Sequence, residues 1–428
     1  MTKSFFDSRW FIALAGTALQ LCLGTVYAWS YFQEPLKAYG WSSVQVTWTF
    51  SLAICCLGLA AAWGGLQLPR LGPRRLAMIG GVLFGVGHLV AALALHWKCL
   101  VLLYLGYGVL GGCGLGLGYV TPVATVAKWF PDKKGLTTGM VIMGFGFGAL
   151  FMSKLFVPLL ERATGGDLVM VFAWLGIGFL LSIVSLGAVL RNPPPGFSPA
   201  GTDSPSAGVA IVAGGISSED RRVYPGLFSC RFATMWLVFF TNILAGISLI
   251  SFQSPLFQNL WQNHDPGLSK EVLAAYGATL IAVSSLFNGA GRMLWGWLSD
   301  RIGRVRTFQI MLASQIVAFG VLTLVGNPWL FGGLICYILL CYGGGFGTMP
   351  SFVLDVFGPT KMPVVYGAIL TAWSAAGIVG PQLVALIKDH YATQLTQYAF
   401  LCNVAVLSVG LVLASTLHDG HPDAPRDQ

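Results

Sequence analysis

A run of about 20 apolar residues recurs twelve times along this chain, and a run of that length crosses a bilayer as a helix. The runs fall near residues 10–32, 44–66, 76–96, 99–127, 138–160 and 168–190, then 231–256, 272–298, 307–326, 329–353, 365–387 and 394–416. Of the 428 residues, 55% are hydrophobic and only 9% are charged, against about 25% charged in an ordinary soluble protein. A soluble domain of this size has no interior large enough to hide so much apolar surface. An all-α membrane protein with twelve transmembrane helices is therefore expected. Six helices belong to residues 1–190 and six to residues 231–416, with a cytoplasmic linker at 191–230 and a cytoplasmic tail at 417–428. The linker opens on Pro193-Pro194-Pro195 and continues Ser/Gly/Ala-rich, with no recognisable chemistry.

The formal net charge is +8, but its distribution says more than its size. Of the 24 lysines and arginines, 17 lie on the face that would hold both termini and the linker. Five others, Lys37, Lys98, Arg162, Lys270 and Lys388, lie on the opposite face. The positive-inside rule makes the first face cytoplasmic, giving a multi-pass chain of the cell (inner) membrane with both termini inside. Topology accounts for the basic residues, so no nucleic-acid partner is expected. The first apolar run is too long for a cleavable signal and lacks a small-residue cleavage site. Nine cysteines without C-x-x-C spacing read as small buried hydrophobes. Six histidines stand apart in the sequence, so neither a metal nor a cofactor is expected, and no catalytic triad.

Two basic residues, Lys154 and Arg292, fall inside apolar runs. Arg292 stands about 12 Å along a helix from Asp300. With Asp300 at the water interface, that is close to the middle of a hydrocarbon core about 30 Å thick. A guanidinium keeps its proton there, and burying it is costly unless something compensates the charge. Snorkelling covers only part of that depth, and the acids Glu34, Glu161 and Asp355 fall near segment ends. Asn288, one turn earlier on the same face, offers a neutral amide. The charge is left for a ligand, and a small carboxylate suits it. Tyr27 and Tyr31 end the first run one turn apart, with Tyr27 the better cavity candidate. Tyr31, Phe32 and Trp41 fit an interfacial aromatic belt. Tyr119 follows a glycine run deep in the fourth helix and is expected to face the cavity.

Internal repetition points the same way. Gly65, Arg70 and Gly72 recur as Gly296, Arg301 and Gly303 at an offset of 231, and Pro122 and Gly139 recur as Pro350 and Gly367 at an offset of 228. Two unrelated motifs at nearly one offset indicate a duplicated six-helix half, a transporter signature. The glycine runs at 111–118, 144–148 and 343–347 lack the strand-turn-helix setting of a phosphate loop. They read as small-residue faces that let helices pack closely.

The Gly-x-x-x-[Asp/Pro]-Arg-x-Gly segments at 65–72 and 296–303 resemble the loop signature of the major facilitator superfamily. Pro69 replaces the usual acid in the first copy, which weakens an Asp–Arg latch there and leaves the second intact. Lys128-Trp129-Phe130-Pro131-Asp132-Lys133-Lys134-Gly135 and the Arg292–Arg304 run are more specifically similar to the oxalate:formate antiporter family, which is related to the monocarboxylate transporters. The resemblance spans Gly24 to about Pro381 and implies the major facilitator fold, with two pseudo-symmetric six-helix halves. It places Arg292 as the substrate-binding arginine of helix eight, and Tyr27, Tyr119 and Tyr342 where cavity residues of the family lie. Trp373 stands where the oxalate exchanger carries a second cation, and Asn288 where monocarboxylate transporters carry an aspartate.

The expected function is secondary active transport of small monocarboxylates, lactate- or pyruvate-like, by alternating access with proton coupling. Arg292 would bind the carboxylate and Asn288 orient it. Tyr27, Tyr119 and Tyr342 would supply hydroxyls, and Trp373 would bound the apolar end. The alternative is an oxalate/formate-type organic anion exchanger. The partners expected are one small organic anion, a proton and the lipid bilayer, with the chain acting as a monomer. An enzyme would need clustered nucleophile, base or metal ligands, and a channel would need rings of like charge; the sequence offers neither pattern.

Overall fold

The computed structural model describes residues 9–130, 134–194, 197, 229–390 and 395–419. Most of the expected linker and tail lie outside the described residues. Among those described, eleven helices are long and apolar enough to cross a membrane. They are α1 Arg9–Lys37, α2 Ser43–His96, α3 Leu100–Val126, α4 Thr137–Thr164, α5 Leu168–Ala188 and α6 Cys230–His264. Then follow α7 Lys270–Ile302, α8 Arg304–Leu322, α9 Pro328–Phe357, α10 Val364–Ile387 and α11 Gln397–Ala414.

Helix α2 accounts for two of the twelve expected crossings. Its 54 residues measure about 80 Å at 1.5 Å each, and the backbone breaks at Gly72, with φ 75° and ψ 161°. The expected runs 44–66 and 76–96 are thus two arms meeting at a hinge rather than helices joined by a loop. Gly303, between α7 and α8, holds nearly the same angles, φ 92° and ψ 155°. Only glycine enters that region at little steric cost. The repeat at an offset of 231 is therefore a repeat of backbone conformation as well as of letters. Between α9 and α10 the helical backbone runs unbroken from Pro328 to Ile369, where a gap near 354–364 was expected. That stretch has no glycine in the left-handed region.

The glycine runs do what their spacing predicts. A Cβ on Gly116 of α3 would strike the Leu57 carbonyl oxygen of α2, and one on Gly114 would lie 2.6 Å from that of Gly80. On α4, the Cβ position of Gly146 is 2.5 Å from Gly289 Cα of α7. On α9, Gly343 and Gly347 bring that helix against the carbonyls of Asn288 and Arg292. Small residues on both sides thus wedge the Arg292 stretch of α7 between α4 and α9.

Several hydrogen bonds cross between the halves. Ser285 Oγ donates to the Gly146 carbonyl at 2.6 Å and accepts from Leu150 N–H at 3.2 Å. Lys154 Nζ donates to Thr279 Oγ1 at 2.7 Å. Ser374 Oγ donates to the Cys55 carbonyl at 2.8 Å, and Gln382 Nε2 to Ser51 Oγ at 3.3 Å. These bonds lie from the middle of the bundle towards the face opposite the linker.

Two expectations change in detail. The arginine of the second-half latch is Arg304, which pairs with Asp300 at 2.6 Å and Asp355 at 3.0 Å. Arg301 instead lies over the Trp297 ring at 4.0 Å. The Gly303 turn ends α7 and folds Arg304 back over its last turn, where it also donates to Ser299, so Asp300 meets Arg304 rather than Arg301. Phe32 is not interfacial: it is 2% exposed and packs on Phe172 with ring centroids 5.0 Å apart. Tyr31 donates its hydroxyl to Glu161.

Candidate functional site

Arg292 is 1% exposed, and among the described residues it is the only lysine or arginine that is buried. None of its three guanidinium nitrogens has a hydrogen-bond partner among them. Its charge rests between two ring faces, 4.8 Å from the Phe346 centroid and 5.6 Å from that of Phe145. Cation–π attraction offsets part of the cost of burial, but a ring face accepts none of the five N–H hydrogens.

The other five expected residues gather around this charge. Tyr27 sits in a tightened 3₁₀ turn, Thr25–Ala28, that interrupts α1. Its hydroxyl lies 2.6 Å from that of Tyr342 on α9, a bond between the halves. Trp373 of α10 fills the centre, with ring centroids 4.6 Å from Phe346, 5.4 Å from Tyr119, 5.8 Å from Phe145 and 6.3 Å from Tyr27. Arg292 acts electrostatically on Tyr27, Tyr119 and Tyr342. Asn288 is 2% exposed and shares with Tyr27, Gln253, Ser284 and Ser285 a small cavity of about 10 Å³, the size of one water. All six therefore belong to one place, the seam between the halves.

Three further residues complete the site. Phe145 and Phe346 carry the cation–π contacts, each flanked by glycines that admit it to the seam. Tyr366 of α10 is buried, and its hydroxyl faces Tyr119 and Arg292 without forming a hydrogen bond to either. A signal for it existed: it precedes Trp373 by seven residues, two helical turns on one face.

The polar atoms here without a hydrogen-bond partner among the described residues share a sign. They are the Arg292 nitrogens, Trp373 Nε1 and the hydroxyls of Tyr119 and Tyr366, with Asn288 Oδ1 the one pure acceptor. Guanidinium, indole N–H and phenol O–H all donate, and an ionised carboxylate only accepts, at about four lone-pair sites. The cluster is complementary to a small anion. Trp373 is correspondingly more than an apolar boundary, since its N–H belongs to the donor set.

Residues 10–381 match the family model described as Major Facilitator Superfamily. The chain is 26% identical over 422 residues to the oxalate:formate antiporter of Oxalobacter formigenes, covering 97% of this chain and 92% of that protein. It is 27% identical to apicoplast pyruvate carrier 1 of Toxoplasma gondii, covering 89% and 82%. Among solved structures, a bacterial homologue of the human lysosomal transporter Spinster, inward-facing and unoccupied, superposes with a TM-score of 0.68. It shares 17% identity, with 96% of this chain and 97% of that one covered, and speaks to the fold alone.

Proposed function

Since the chain belongs to the Major Facilitator Superfamily, we propose that it is a secondary active transporter of small monocarboxylates, lactate- or pyruvate-like, working by alternating access. One observation carries this reading: a buried, unpaired guanidinium ringed by unpaired donors, with one cation in the set. A monocarboxylate leaves the loaded site neutral, whereas oxalate would leave one negative charge beside Trp373. Uncompensated charge at that depth is costly, and about 1.4 kcal/mol already changes affinity tenfold. The relative named as a pyruvate carrier supports the same substrate class.

Arg292 holds the carboxylate by its planar fork. Tyr119, Tyr366 and Trp373 donate to the remaining lone pairs, and Asn288 orients the tail. The bonds between the halves lie from the middle of the bundle towards the face opposite the linker, so that face opens by breaking them. A proton accompanying the anion makes a neutral pair, so coupling leaves the cycle electrically silent while Arg292 keeps its own charge. The excess of basic residues makes the linker face cytoplasmic, in an inner membrane. Enclosure of the site within one chain supports a monomeric transport unit.

Uptake of labelled lactate into proteoliposomes tests the reading. Unlabelled lactate and pyruvate should compete well, formate weakly for want of a tail to bury, and oxalate poorly. Acidifying the outside should speed uptake. Oxalate as the best competitor would overturn the single-carboxylate assignment in favour of an oxalate/formate exchanger.

A further inference from the structure

The two loop signatures make the same turn in different company. Beyond Gly303, the Asp419 carboxylate accepts a hydrogen bond from Val305 N–H at 3.0 Å and lies where a Cβ on Gly303 would point. It also interacts with Arg231, whose guanidinium donates to the His418 carbonyl at 2.6 Å. The segment after α11 thus delivers an acid to the first turn of α8, where free N–H groups and the helix dipole favour an anion.

At the offset of 231, Gly303 and Val305 correspond to Gly72 and Arg74, and the segment after α5 brings Arg191 to the cavity that Gly72 lines. The first half therefore builds the same turn with a cation in place of the acid. An open cavity of about 790 Å³ lies there, lined by Gly72, Arg74, Arg75 and Arg191, with Phe11 and Met78 among its apolar walls. We propose that this cavity binds the phosphate headgroup of an anionic phospholipid. The headgroup takes the part that Asp419 plays in the second half. Arg74 presents its N–H where Val305 meets the carboxylate, and the guanidiniums of Arg74 and Arg75 fit phosphate oxygens. The ends of α1, α2 arms and α5 put the cavity at the membrane boundary on the linker face. A basic pocket with apolar walls at that level suits a lipid better than a free anion. This site is independent of the transported substrate.

The test uses the purified full chain in micelles doped with phosphatidylglycerol or phosphatidylcholine, with bound lipid counted by native mass spectrometry. Phosphatidylglycerol should be retained preferentially. Arg74→Gln and Arg75→Gln should each weaken its binding about fivefold, while Asp419→Asn should leave it unchanged. Melting in phosphatidylcholine alone checks that the variants fold. Equal retention of both lipids, or full retention by the double variant, overturns the proposal. So does displacement of the lipid by inorganic phosphate at equal concentration, which would make the ligand a free anion. Lipid binding that emerges only after Glu219→Gln and Asp220→Asn would assign the cavity to the chain's own linker, and also overturns it.

Discussion

The two halves bring unequal chemistry to the centre. From the second come Arg292 and Asn288 on α7, Tyr342 and Phe346 on α9, and Tyr366 and Trp373 on α10; from the first come Tyr27, Tyr119 and Phe145, none of them charged. A duplicated fold has kept its backbone turns, as Gly72 and Gly303 show, while its site has become one-sided. The physical consequence concerns release. An anion held by cations on both sides would be a bridge that must break whenever the halves part. On the transport function proposed above, a cation on one side would keep the anion with the second half while the neutral wall of the first moves away. On that reading one half would grip and the other cover.

Removing the grip should have the largest effect. Arg292→Ala takes away a charged, multidentate partner, a change that typically costs about 2–5 kcal/mol and so about thirtyfold or more in lactate uptake. Arg292→Lys should recover little, because an ammonium lacks the planar fork. Uptake at matched protein incorporation is the measurement, and wild-type rates in Arg292→Ala would end the asymmetry argument.

Adding a second cation should sharpen the comparison. In Trp373→Lys the charge count favours a dianion, so the ratio of oxalate to lactate competition should rise about tenfold or more. An unchanged ratio would mean that charge counting does not set selectivity here. Next in size are the donors. Tyr119→Phe and Tyr366→Phe each delete one hydroxyl, and a neutral hydrogen bond contributes about 0.5–1.5 kcal/mol. Lactate affinity should fall about threefold to tenfold in each, read as the concentration giving half-maximal uptake.

How much of this was legible before any coordinates follows from the kind of signal each residue gives. Arg292 announced itself because a lone charge far inside an apolar run has few physical explanations, and depth can be counted along a helix. The packing glycines were legible from spacing alone. Tyr342 and Trp373 came from resemblance, not from local pattern, and Tyr366 and Phe346 were missed. The reason is rotational: a helix apolar on all sides has no moment to say which residue faces inward. The Gly72 turn was marked by glycine and proline letters, but helical continuity through 353–365 was hidden because the apolar runs end at 353 and resume only at 365. Asp419 meets Val305 across 114 residues, a contact with no local signature.

The smallest effect expected is the most informative about covering. Tyr27 and Tyr342 satisfy each other across the seam at 2.6 Å, whereas Tyr119 and Tyr366 have no such partner among the described residues. Tyr27→Phe therefore removes a bond between the halves without removing a free donor. Lactate affinity should change less than about twofold, while loss of about 1 kcal/mol shifts the balance between closed and open forms of the face opposite the linker about fivefold towards open. Spin labels on the Lys37 end of α1 and the His264 end of α6 read that balance by distance, with and without lactate. A rise in the long-distance population at unchanged affinity supports a first half that covers. A fall in affinity as large as that of Tyr119→Phe, with no change in distance, would mean that Tyr27 holds the substrate directly and that both halves grip.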